Sequence, residues 1–369
     1  MKCILKWSML CTVVSFNAFG SLSSPNISAN ALFLYKNSNQ GNNLTTTNVN
    51  GLGLEEAELA FYSDVDPYSH LTMLFTIHPE IQDRTSDHAV KEEWKFEPEE
   101  LFMDSTIVPN LTLKAGIFKS AFGKNATLHT HAYPLIDAPL VNSVLIGDEG
   151  LSDIGASAAY LIPAPWFLEL TAQYLRGKGE NAGFSSPYPN NPVGVFHLKN
   201  LFDLNDSSTL ELGGSLASGK NYLSDKTNLY GADLTYKWRP VNGGMYTSFI
   251  IGSEFVVRNL GQGENIAIEK GRGFNVWTKY QFAQRWDLVY RYDHIKVEGS
   301  DSDMNTTSLP NDSATKNAIG FDFNASEFSS YHLEYNWTRG IAGEVARNNE
   351  KVIYLQANFT IGSHPAHAY

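Results

Sequence analysis

Cysteine is almost absent: the 369 residues hold two, Cys3 and Cys11, and both fall in an N-terminal stretch with the features of an export signal. Lys2 and Lys6 precede an uncharged run from Trp7 to Phe16, and Ala18-Phe19-Gly20 places small residues where a signal peptidase reads them, so cleavage is predicted after Gly20. Without its cysteines the remaining chain is excluded from disulfide scaffolds, thiolate zinc sites and cysteine nucleophiles. Positive charge is also scarce. Loss of the two signal lysines takes the formal net charge from −12 to −14, which excludes nucleic acid as a partner. Beyond the signal, no apolar run is long enough to form a membrane helix. Catalytic signatures are missing as well. No G-x-S-x-G occurs, and Gly261-Gln262-Gly263 and Gly271-Arg272-Gly273 are turn and packing glycines rather than a phosphate loop, which needs a following helix. The expectation is a protein that is not an enzyme and carries no cofactor.

What the chain has is aromatic residues (12%), 29 glycines and a strong period of two. In Trp286-Asp287-Leu288-Val289-Tyr290-Arg291-Tyr292-Asp293, one face carries Trp, Leu, Tyr and Tyr, the other Asp, Val, Arg and Asp. Tyr331 to Thr338, Tyr230 to Trp238 and Ile353 to Ile361 repeat the arrangement. Side chains alternate across a strand, so each segment has one apolar and one polar face. Trp166, Tyr174, Tyr236, Trp238, Trp286, Tyr292 and Trp337 lie toward strand ends on the apolar face, as girdles at two membrane interfaces require.

Sixteen strands are predicted: 27–35, 51–65, 69–78, 97–107, 111–118, 152–162, 166–175, 194–202, 207–217, 227–239, 246–258, 271–282, 286–294, 315–324, 329–338 and 350–361. Every second connection is turn-like, such as Asp66-Pro67-Tyr68 or Val108-Pro109-Asn110, and those between are long and polar. A soluble sandwich would alternate too, but it has no reason to sort its loops by length. The fold class is therefore all-β: a transmembrane antiparallel β-barrel with short periplasmic turns and long outer loops, occupying 21–369 as a single domain.

Distinctive residues run through Gly116-Ile117-Phe118-Lys119-Ser120-Ala121-Phe122-Gly123-Lys124, His129-Thr130-His131-Ala132-Tyr133-Pro134, Asp137 to Val141, Gly147 to Gly155 and Pro165 to Leu170. With Leu54 to Leu59 and the last residues, Gly362 to Tyr369, they resemble outer-membrane porins of the phosphate-selective porin O/P-like superfamily. The similarity is greatest to a proteobacterial group labelled zinc-regulated porin or TonB-dependent receptor. The resemblance spans most of the chain after the signal, concentrates in 115–170, and implies a pore-like barrel without supplying a substrate. Sixteen strands and their loops nearly consume the length, which leaves no room for the plug domain of a TonB-dependent receptor.

Function is expected inside the barrel. Sixteen strands enclose an aqueous lumen unless something fills it. The longest connection, 119–151, is the third outer loop, the one that in general porins folds inward and sets the constriction. A short helix is predicted there, with Asp137 as N-cap and Pro139 in its first turn; the competing reading is a lid over the mouth. Candidate constriction and lumen residues are Lys114, Lys119, Lys124, Asp137, Asp148, Glu149, Asp153, Glu169, Asp233, Lys237, Arg291 and Glu334. Other inward acids are Glu56, Glu58, Glu100, Glu211, Glu254, Asp287 and Asp322, and Lys279 adds a base. Acids outnumber bases, so a weak cation preference is expected, whereas a phosphate-selective pore needs concentrated Lys and Arg. His129 and His131 are candidate metal ligands, as are the tail residues His364 and His367, but H-x-H alone falls short of a four-ligand site, and hydrogen-bonded loop histidines are the competing reading. The expected role is passive diffusion of small hydrophilic solutes or ions; the alternative is a plugged adhesive barrel that binds partners through its outer loops. Expected partners are outer-membrane lipid and lipopolysaccharide, the barrel-assembly machinery and small solutes, with a homotrimer by analogy to sixteen-stranded porins.

Overall fold

The computed structural model describes residues 25–40, 50–82, 91–147, 150–179, 183–188, 190–241, 246–261, 269–298, 312–342 and 346–362. Residues 1–24, which carry the predicted signal, the C-terminal tail with His364 and His367, and Asp148 and Glu149 lie outside the described residues.

Each predicted strand segment is a strand. They are β1 (Asn26–Ser38), β2 (Gly51–Asp66), β3 (Ser69–Gln82), β4 (Lys91–Val108), β5 (Leu111–Lys119), β6 (Ser152–Leu161), β7 (Phe167–Leu175) and β8 (Val193–Asn205). The second half comprises β9 (Ser208–Lys220), β10 (Lys226–Trp238), β11 (Ser248–Leu260), β12 (Glu269–Ala283), β13 (Trp286–Glu298), β14 (Asp312–Ser326), β15 (Ser329–Ile341) and β16 (Lys351–Gly362). Every strand pairs antiparallel with its sequence neighbours, and β1 closes on β16 with Leu34 opposite Gln356. Closure leaves no sheet edge, which is what allows strands to cross a bilayer without orphaned backbone groups.

Burial is inverted relative to a water-soluble protein. Along β13, Asp287, Val289, Arg291 and Asp293 are buried while Trp286 and Tyr290 are exposed. Phe321, Leu333 and Leu355 also point outward and are exposed. An apolar outer face around a polar interior is the arrangement of a barrel solvated by lipid. At the short-turn end, the outward rings of Trp286, Phe323, Tyr331 and Phe359 follow one another around the wall, with centroids 4.6, 6.3 and 6.0 Å apart. Trp277 breaks the pattern. It is buried on the inward-facing register of β12, and the space for its indole comes from Gly252 on β11, where an added Cβ would lie 2.5 Å from the ring.

Two β-bulges interrupt the alternation where it matters for the interior. Between β1 and β2, Leu32 pairs with Glu56 but Phe33 pairs with Leu54, which leaves Glu55 as the extra residue. Between β3 and β4, Leu74 pairs with Glu100 and Phe75 with Pro98, which leaves Glu99 extra. A bulge places two consecutive residues against one partner and re-aims a side chain. Glu55 joins Glu56, and Glu99 joins Glu100, on the inner face. β4 is also longer than the predicted 97–107, because Trp94 and Phe96 continue its outward row beyond the bulge.

Candidate functional site: the loop across the lumen

The connection from β5 to β6 turns into the barrel. Its apolar residues Phe122, Ala126, Leu140, Val141, Leu145 and Ile146 are buried, and they join Val195, Leu229, Val256 and Ile295 from the strands in one core. A second contact buries Ile136 against Leu34, Val352 and Tyr354, and a third buries Leu135 against Val289 and Ala318. The loop thus reaches from β8–β13 across to β16 and β1. Its path contains two single-turn 3-10 helices, 125–127 and 130–132, and α1 (Leu140–Leu145).

Polar contacts fix this path. Gly123 takes a left-handed φ of 64°, and its N–H donates to Ser215 Oγ at 2.8 Å. A Cβ here would overlap the carboxylate of Glu254, which accepts from Asn125 N at 3.2 Å and Nδ2 at 2.6 Å. Gly123→Ala is therefore expected to cost roughly 1–3 kcal/mol through backbone strain alone, checked by thermal unfolding in detergent; an unchanged melting temperature would contradict the steric argument. Lys124 pairs with Glu211 at 2.9 Å, and Lys119 with Glu99 at 2.8 Å and the Leu128 carbonyl at 3.0 Å.

The far end is tied by charge. Arg291, with 2% of its side chain exposed, donates to Asp137 Oδ1 at 2.5 Å, to the Asp137 carbonyl at 2.6 Å and to Asp293 at 2.7 Å. Lys316 also binds Asp137, Asn336 donates to it at 3.0 Å, and Glu334 accepts the N–H of Ile136 at 2.7 Å. Burial alone would favour the neutral acid, but Lys316 and Arg291 outweigh it and hold the Asp137 carboxyl down at about 2. Asp137 is consequently not the N-cap expected from sequence. Pro139 occupies that position without a side-chain bond, because the Asp137 carboxylate is engaged by the wall. The opposite end of α1 is capped from the wall, where Arg258 donates to the Val144 and Leu145 carbonyls at 2.9 and 3.2 Å.

A depressed carboxyl stabilises the folded state above its unfolded value, and that contribution disappears as pH falls through the folded value. The Asp137 contribution is thus complete above about pH 4 and is lost toward about pH 2. Asp137→Asn is expected to lower the melting temperature at neutral pH and to flatten its fall across that acid window. Parallel acid curves for variant and parent would contradict this assignment.

The two histidines face the bulges. His129 contacts Glu99 through Nδ1 at 2.8 Å and Glu100 through Nε2 at 3.2 Å, and His131 Nδ1 lies 2.9 Å from Glu58. The rings stack with centroids 5.9 Å apart. Burial disfavours the His129 cation, but hydrogen bonding to Glu100 and Glu99 prevails and raises the imidazole to about 10.

The remaining candidates divide. Lys114, Glu169, Glu100 and Lys119 line a cavity of about 530 Å³ on the short-turn side of the loop, with the Lys114 ammonium 3.9 Å above the Phe102 ring. Asp233 is buried beside Gly213, and Lys237 faces inward nearer the turn end of β10. Asp153 has a different task from the one expected. Its Oδ2 accepts the N–H groups of Gly177 and Lys178 at 2.7 and 2.9 Å, so it staples the β7–β8 connection to the rim. Sequence reasoning missed Glu55, Glu99, Lys316 and Arg258. For Glu99 a signal existed: Pro98 within a strand marks a bulge or an edge.

A closed antiparallel barrel of sixteen strands is the fold of outer-membrane porins. Among solved structures the chain is similar to a loop L8 deletion mutant of OmpT, an outer membrane protein of Vibrio cholerae, with a TM-score of 0.58 and 9% identity over 92% of this chain and 99% of that one. It is similar also to the outer membrane channel DcaP of Acinetobacter baumannii (TM-score 0.57, 12% identity, 91% and 97% of the two chains). An anion-selective porin from Comamonas acidovorans matches with a TM-score of 0.54 at 9% identity, over 91% and 98% of the two chains. At these identities the likeness defines the fold. An uncharacterized protein of Aquifex aeolicus (strain VF5) is 29% identical over 355 residues, 86% of this chain and 70% of that protein. No protein-family model matches the chain.

Proposed function

We propose that the protein is a bacterial outer-membrane channel for small hydrophilic solutes or ions, with loop 119–151 as its constriction. The observation that carries this reading is the loop's course through the lumen, held by side chains from opposite sides of the barrel. The porin-like neighbours support it at the level of the barrel. The narrower superfamily and the zinc-regulated label are not needed for it, nor is a homotrimer. Lipid, lipopolysaccharide and the assembly machinery are partners that any such barrel meets.

The proposed selectivity is a weak preference for cations. Many inward bases already have acidic partners: Lys279 is shared by Asp322 and Asp287 at 2.9 and 3.7 Å, and Arg291 by Asp137 and Asp293. Glu55, Glu56, Glu58, Asp233, Glu254 and Glu334 add further inward carboxyl groups, and those that ionise make the interior field negative, which favours cation entry. The test is a planar bilayer under a salt gradient, where discrete conductance steps and a reversal potential of cation sign are expected. Stably inserted but silent protein would sink the channel reading, and an anion-signed potential would sink the selectivity alone.

A further inference from the structure

The geometry points to a binding site for one divalent transition-metal ion where the loop meets the bulged wall, formed by Glu56, Glu58 and His131 with Glu99 and His129 beside them. Ligand atoms of Glu56, Glu58 and His131 all lie within 4.8 Å of one another, and so do those of Glu58, Glu99 and His129. The two groups share Glu58, which is 4% exposed. Independent of that spacing, the site holds a buried carboxylate oxygen, Glu99 Oε2, that has no hydrogen-bond partner among the described residues, and the Glu99 side chain is only 9% exposed. Lys119 and His129 both engage Glu99 through Oε1.

Charge leads to the same conclusion. Glu56, Glu58, Glu99 and Glu100 face Lys119, Lys114 and the His129 cation, so the acids outnumber the bases by one. Burying carboxylates in that proportion is costly unless a cation compensates them. Two carboxylates and an imidazole neutralise a dication and form a donor set suited to Zn²⁺ or a neighbouring first-row ion. Ca²⁺ would need six to eight oxygens, more than this corner offers. The bulges explain why the site exists at all: without the extra residue in β4, Glu99 and Glu100 could not both face inward. A bound ion would join the loop to β2 and β4, opposite the Arg291 contact, so both ends of the crossing would be held.

The experiment is calorimetry of ZnCl₂ and CaCl₂ into full-length protein folded in detergent and stripped with EDTA. One Zn²⁺ per chain is expected, with Ca²⁺ far weaker. Loss of one ligand in His131→Asn or Glu58→Gln is expected to weaken Zn²⁺ on the order of tenfold or more, while the tail double variant His364→Ala/His367→Ala binds as the parent does. Equal zinc affinity in parent, H131N and E58Q would overturn the proposal, as would loss of binding in the tail variant. Should neither loop-site variant fold, zinc-dependent melting of the parent and the tail variant decides: an equal rise in both supports the site, and no rise in either overturns it. Calorimetry does not require a conducting pore, so a silent channel and an absent metal site are separate failures.

Discussion

Replacing Arg291 by methionine is expected to destabilise the folded protein by roughly 3–5 kcal/mol, the usual consequence of removing one partner from a buried charge network. The guanidinium is enclosed and contacts Asp137, its carbonyl and Asp293. Asp293 and Glu334 are themselves inaccessible to solvent, at 0% and 1% exposure. Methionine fills much of the volume but leaves Asp137, Asp293 and Glu334 with Lys316 as their main counter-charge. The loop's attachment to β13 loosens first, while the strand ladder persists. Thermal unfolding in detergent will show the loss, and single-channel records will show a noisier, larger conductance. Arg291→Met combined with Asp293→Asn removes one of the stranded carboxylates and is expected to recover part of the stability. A single variant as stable as the parent would mean that the network contributes nothing net.

Excising the loop is expected to have the largest effect on conduction. At its base, Ser120 donates to the Leu151 carbonyl at 2.9 Å, so β5 and β6 are already paired where a short turn could join them. Replacing residues 122–149 by a Gly-Ser turn leaves every inter-strand hydrogen bond in place. It also removes the one element that, among the described residues, crosses a lumen otherwise wide enough for water. Conductance is expected to rise several-fold and ion preference to fall, because the inward carboxylates then act across open solution rather than at close quarters. The excised barrel will be less stable, since Val195, Leu229, Val256 and Ile295 lose their apolar cover. An unchanged conductance would show that the loop does not set the constriction.

The barrel was legible in the sequence because two periodicities coincide, one along each strand and one in the lengths of the connections. All sixteen strands fall where those periods place them, with their ends displaced by a few residues. Inward residues on regular strands, such as Arg291, Asp233 and Glu334, follow directly from alternation. Bulged positions do not. Glu55 and Glu99 face inward only because the chain inserts a residue, and a strict period of two assigns one member of each pair to lipid. A pair of adjacent glutamates together with Pro98 in mid-strand was the available warning. The partners of the loop were out of reach for another reason: Asp137 meets Lys316 across 179 positions of sequence and Asn336 across 199, and no local pattern specifies such a pairing. The predicted helix was found, but its cap was misjudged, since an Asp before a helix is an N-cap only when no stronger cation claims it.

The apolar cluster around Phe122, Leu140 and Ile295 lies on the water side of a wall whose other side meets lipid. The protein therefore has two solvents and two kinds of cohesion. Loop packing is driven by release of water and carries its heat-capacity signature, so the loop's hold on the wall will weaken on cooling. The strand ladder, surrounded by hydrocarbon, has no comparable reason to loosen. Detergent choice will tune one half of the molecule, and temperature and osmolytes the other.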